Sequence, residues 1–121
     1  MSSILRGVTI DAPDAHAVAL FWAAALGRDL VPGASPEHAE LTDDPEGGPR
    51  VVVQAATGSA FSPGPLHLDL VTADLDAESE RLSRLGARRL GSVRVGASHG
   101  NRQRVTLVDP VGNVFDLVAV A

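Results

Sequence analysis

His67 and Asp69 stand two residues apart in "LHLDLV" (66–71), and Asp116 stands in "VFDLV" (114–118). In an extended strand, alternate side chains share a face. His67 and Asp69 therefore point one way, and Leu68 and Leu70 the other. An imidazole beside a carboxylate can move protons, with the carboxylate orienting the ring. It can also ligate a metal or hold a polar ligand, or it can simply begin a strand. The same alternation leaves Arg50, Val52 and Gln54 on one face of 50–55, with Val51 and Val53 opposite. It leaves Arg104 and Thr106 on one face of 103–108, and Val114, Asp116 and Val118 on one face of 114–118. With Thr9, the polar set is Thr9, Gln54, His67, Asp69, Arg104, Thr106 and Asp116. Such a set carries both charge signs. It can orient a polar small molecule, or its members can satisfy one another, for example Asp69 with Arg104.

Other chemistries are excluded by what the chain lacks. There is no Cys among the 121 residues, hence no disulfide framework, no zinc knuckle and no thiol nucleophile. No Gly-x-Ser-x-Gly elbow appears, and no Gly-rich phosphate loop opens a helix. The net charge is −5, which argues against a nucleic-acid surface. All ten basic residues are Arg. No apolar run approaches the roughly 18 residues that span a bilayer. The opening residues lack the pattern of a signal peptide, so the expected location is the cytoplasm.

The elements that must position these residues read as a duplication. "GVTIDAPDAHAVALFWAAALGRDL" (7–30) parallels "HLDLVTADLDAESERLSRLGARRL" (67–90). Gly7 lies opposite His67 and Asp14 opposite Asp74, both at an offset of 60. Each half begins with an alternating strand and an Asp N-cap. A helix follows and is stopped by Gly27 or Gly86. Strands are expected at 29–32, 38–42 and 50–55, then at 88–95, 103–108 and 114–120. "DDPEGG" and "VDPVGN" are turns. Stretch 56–65, rich in Gly, Ser and Pro, reads as a linker. The fold class is therefore α+β: one domain over 1–121, built of two βαβββ modules at 1–57 and 63–121. One helix covers only one face of each sheet. The other face must meet its twin, a partner chain or a ligand.

At this level the chain resembles the vicinal oxygen chelate superfamily, in particular small glyoxalase-like and bleomycin-resistance-type proteins. The resemblance is carried by "LRGVTIDAPDAHAVALFWAAALG" (5–27), "LHLDLVTADLDAESERLSRLGA" (66–87) and "VTLVDPVGNVFDLV" (105–118). It implies two modules whose mixed sheets curl around a cavity, usually in a homodimer. In metal-using members four strand positions hold the ion, and here these match Gly7, Gln54, His67 and Asp116. His67 and Asp116 keep an imidazole and a carboxylate. Gln54 offers a neutral amide, and Gly7 offers no side chain.

The expected function is that of a small-molecule binding protein, with a small polar molecule or an antibiotic as ligand and no tightly bound metal. His67, Asp116, Gln54, Asp69, Arg104, Thr9 and Trp22 are its candidate ligand-binding residues. The alternative is a metal-assisted lyase, isomerase or dioxygenase-like enzyme with a divalent ion on His67, Asp116 and Gln54. A third is a structural dimer. Helical geometry separates Phe21 and Trp22 by 100°, so only one of them is expected at the centre of a core; Trp22 at a cavity mouth is the sharper possibility. His99, in "GASHGNRQR" (96–104), lies in a Gly-rich loop that could close over a pocket. His16 and His38 read as surface residues, and Asp43, Asp44 and Glu46 as a solvated turn.

Overall fold

The structure is a computed structural model that describes residues 2–3, 5–56, 67–94 and 103–119. The expected linker from Thr57 to Pro65, the loop with His99, and the outermost expected strand positions, Val95 and Val120, lie outside the described residues. The chain forms two compact units, Met1–Ser62 and Pro63–Ala121.

In the first unit β1 (Gly7–Ala12) leads through Asp14 into α1 (Ala15–Leu26), followed by β2 (His38–Glu40) and β3 (Arg50–Ala55). The Asp14 carboxylate accepts the Ala17 N–H at 3.1 Å, satisfying a donor that the helix start leaves open. Gly27 ends the helix at φ 66°, and its N–H donates to the carbonyls of Ala23 and Ala24. The sheet order is β1-β3-β2, with β1 and β3 parallel and β2 antiparallel to β3. Ile10, Ala12, Ala39, Val51 and Val53 are buried with α1.

Two expectations need correction here. The strand at 29–32 shrinks to one bridge, Leu30 to Leu41. Val31 donates its N–H to the Glu40 carbonyl at 2.8 Å, but Pro32 has no N–H to continue the ladder. Gly33, at φ 97°, then turns the chain away. Phe21 and Trp22 are both buried, in an edge-to-face contact with ring centroids 5.2 Å apart. The buried positions of α1 run from Ala15 to Ala25 and cover about 200° of its circumference at 100° per residue, so neighbours can both be interior.

In the second unit β4 (Leu68–Thr72) leads through Asp74 into α2 (Leu75–Leu85). Then come β5 (Arg88–Arg94), β6 (Gln103–Val108) and β7 (Val114–Ala119). Asp74 caps as Asp14 does, accepting the Ala77 N–H at 3.0 Å. The sheet order is β4-β7-β6-β5, with only the β4–β7 pair parallel. Leu82, Val105, Leu107, Phe115 and Leu117 are its core. In both units the first strand pairs in parallel with the last, and the helix between them packs on one face.

The paired turns are also one device used twice. Asp44 accepts the Glu46 N–H at 2.9 Å, and Asp109 accepts the Val111 N–H at 3.0 Å. Each Asp carbonyl then accepts from the Gly three residues on, Gly47 or Gly112, both at positive φ. Asp109 does more: it also takes the Asn113 N–H and side-chain amide, each at 2.8 Å. This is what "DPVGN" encodes.

On α2, Arg81 grips Glu78 through two hydrogen bonds of 2.6 and 2.7 Å. That hydrogen bonding outweighs burial and holds the Glu78 carboxyl below its ordinary range. A depressed folded-state pKa contributes stability that is fully present above the unfolded glutamate range and is lost as pH falls below that range through the lower folded-state value. Glu78→Gln is expected to cost about 0.5 kcal/mol at neutral pH. Urea midpoints of variant and wild type should converge on acidification; a constant gap would refute the pairing. No helix among the described residues is long and apolar enough to cross a membrane.

Candidate functional site

The face of the second sheet away from the core gathers His67, Asp69, Arg104, Thr106 and Asp116. Register sets the neighbours. Asp69 stands opposite Asp116 across the β4–β7 pair, and Thr106 stands opposite Asp116 across β6–β7. Asp116 is the hub, with its side chain only 3% exposed. The Thr106 hydroxyl donates to its Oδ1 at 2.6 Å. Its Oδ2 lies 3.7 Å from His67 Nδ1 and 3.7 Å from an Arg104 terminal nitrogen. These last two are ion-pair distances, longer than hydrogen bonds. With Nδ1 on the Asp116 side, the ring of His67, whose side chain is 48% exposed, keeps its other edge away from the carboxylate.

Arg104 pairs with Asp116 and not with Asp69, as the sequence had suggested. The cause is strand order: β7 lies between β4 and β6, so its carboxylate meets the guanidinium first. Asp69 is exposed and has no ion pair among the described residues.

The corresponding face of the first sheet carries Thr9, Asp11, Arg50, Val52, Gln54, His38 and Glu40. It is closed by its own partners. Arg50 donates to Glu40 at 2.6 Å, and the Gln54 amide donates to Asp11 at 3.1 Å. The Glu40 bond raises the Arg50 pKa further above its already high value. Thr9 is exposed on this face. Sequence reasoning missed the Glu40 and Asp11 partners, since alternation gives faces and not cross-strand neighbours. Trp22, at 1% exposure, lies in the core of the first unit and presents no surface to a ligand.

Register also replaces one expected correspondence. Thr9, the counterpart of Asp69, faces Val52, whereas Asp69 faces Asp116. The counterpart of Asp116 is therefore Val52; Gln54 corresponds to Val118. The first unit carries one more residue between its turn Asp and this position, which hides the match in the sequence.

Among the described residues, the donors that stand together for a divalent metal are His67 and Asp116. In the first unit the counterparts of His67 and Asp116 are Gly7 and Val52, neither with a donor. No group of three or more His, Asp or Glu among the described residues stands close enough to hold an ion. A catalytic ion ordinarily has three protein ligands, and here one imidazole and one carboxylate approach each other.

A family model described as "Glyoxalase-like domain" matches residues 7–118. No curated protein matches the chain. Among solved structures it is similar to a glyoxalase/bleomycin resistance protein/dioxygenase family enzyme from Burkholderia phytofirmans PsJN, at 20% identity and TM-score 0.77, covering 98% of this chain and 100% of that one. It is similar to FosX, a genomically encoded fosfomycin resistance protein from Listeria monocytogenes, at 15% identity and TM-score 0.75, covering 100% and 96%. It is also similar to lactoylglutathione lyase from Agrobacterium tumefaciens, at 15% identity and TM-score 0.69, covering 98% and 94%. At these identities the likeness establishes the fold.

Proposed function

Because the chain belongs to the glyoxalase-like domain family, we propose that it is a small-molecule binding protein that works without a tightly bound metal ion. The observation that carries this reading is the state of Asp116. Its carboxylate is buried, bonded to Thr106 at 2.6 Å and flanked by Arg104 and His67. A carboxylate so engaged positions neighbouring side chains, and among the described residues it meets one imidazole and no third His or acidic group that would complete an ion's donor set. The face it organises is polar and carries both charge signs, which suits a polar metabolite or an antibiotic. A second copy of the chain is the expected partner in assembly.

A second reading, a metal-assisted lyase, isomerase or dioxygenase-like enzyme, is favoured by the approach of His67 to Asp116 and by similarity to a lactoylglutathione lyase and a fosfomycin resistance protein. Elemental analysis of protein purified without chelators separates the two. The expected result is no stoichiometric transition metal and no rise in Tm on adding Zn²⁺ or Mn²⁺. In a thermal-shift screen of antibiotics and small acids, a true ligand at 100 times its Kd should add about 2.7 kcal/mol. A bound metal whose removal abolishes an activity would overturn the proposal.

A further inference from the structure

Four arginines among the described residues are half-buried: Arg28, Arg50, Arg81 and Arg104. Three donate hydrogen bonds to protein oxygens: Arg28 to the Pro49 carbonyl at 3.0 Å, Arg50 to Glu40 at 2.6 Å and Arg81 to Glu78 at 2.6 Å. Among the described residues Arg104 donates none. Its contact with Asp116 is a 3.7 Å ion pair, and its Nε is buried with no hydrogen-bond partner among the described residues. A guanidinium has five N–H donors in a rigid fork, and leaving them unmet while half-buried costs stability. Its side chain is 24% exposed, so part of the fork is open to a ligand. Beside it, across Asp116, stands the half-exposed imidazole of His67.

We propose that this face of the second sheet holds the anionic group of a small oxyacid, a carboxylate or a phosphate- or phosphonate-type group, on Arg104 with His67 as its second donor. The proposal rests on the small-molecule-binding reading of the same face and names the chemistry of the ligand. Planar oxyanions match the guanidinium fork in spacing and charge. Asp116 Oδ2 stands 3.7 Å from the fork, beyond hydrogen-bond distance. Asp116 is itself the hydrogen-bond acceptor of Thr106 and does not close on the fork as Glu40 closes on Arg50. Asp69, on the same face and exposed, disfavours ligands with several negative charges and can accept from a ligand hydroxyl or amine. The first sheet offers no equivalent. By register its counterparts of Arg104 and Asp116 are His38 and Val52, and its own guanidinium is already bonded.

Solution NMR on the ¹⁵N-labelled full chain tests this, with inorganic phosphate and acetate titrated at constant ionic strength against chloride. The expected result is a saturable shift of the Arg104 Nε–H resonance with at least one of these anions and none with chloride. Arg104→Gln should weaken binding about tenfold or more, and His67→Gln, a change at an exposed side chain that keeps the fold, about threefold or more. Arg50→Gln should leave it unchanged. No saturable shift with either anion, an equal response to chloride, or binding untouched by both Arg104→Gln and His67→Gln overturns the proposal. The two readings fail separately. Saturable binding of an uncharged small molecule without any response to phosphate or acetate refutes the oxyanion and spares the binding function. A stoichiometric metal with anion binding intact refutes the metal-free reading and supports the anion site.

Discussion

Asp116→Ala is expected to lower stability by about 3 kcal/mol, a fall in Tm of roughly 12 °C for a chain of this length. The cost arises from what is left behind. The Thr106 hydroxyl loses the acceptor it holds at 2.6 Å, and the half-buried Arg104 loses its only anionic neighbour among the described residues. An unpaired cation in a partly buried position is costlier than the pair was favourable. Asp116→Asn keeps the shape and an acceptor for Thr106, and should cost about half as much. Thr106→Val removes one hydrogen bond and should cost about 1 kcal/mol. Differential scanning calorimetry checks the series. An alanine variant as stable as wild type would show that Asp116 does not organise this face.

Trp22→Ala should cost more still, about 4 kcal/mol, because it removes a fully buried indole and leaves a cavity that α1 cannot fill. Phe21 also loses its edge-to-face partner at 5.2 Å. Trp22→Phe retains most of the packing and should cost about 1.5 kcal/mol or less. Urea denaturation followed by circular dichroism measures both. As the only tryptophan, Trp22 also reports on itself: acrylamide should quench native emission weakly. Strong quenching together with a small alanine penalty would place the indole at the surface, where a ligand-lining role is open to it.

The repeat, the order of elements and the faces of the strands were legible in the residues. Asp14 and Asp74 mark helix starts, Gly27 and Gly86 mark stops, and Asp44-Pro45 and Asp109-Pro110 mark turns. Each of these signals acts within about four residues, and the folded chain keeps each of them. The period of two that puts Val51 and Val53 on one side of β3 and Gln54 on the other is equally local.

What tertiary structure decided was pairing. Alternation says that Gln54 and Val52 share a face; only the β1–β3 register says that Val52, and not Gln54, stands where Asp116 does. Strand order gave Arg104 to Asp116 in place of Asp69, and Glu40 to Arg50. Wide burial of α1 put both Phe21 and Trp22 inside. A missing N–H at Pro32 and the turn at Gly33 cut one strand to a bridge. The physical reason is common to all of these. Local sequence sets which way a side chain points, whereas its partner comes from a segment tens of residues away, whose alignment is fixed by hydrogen bonding and packing along the whole strand at once.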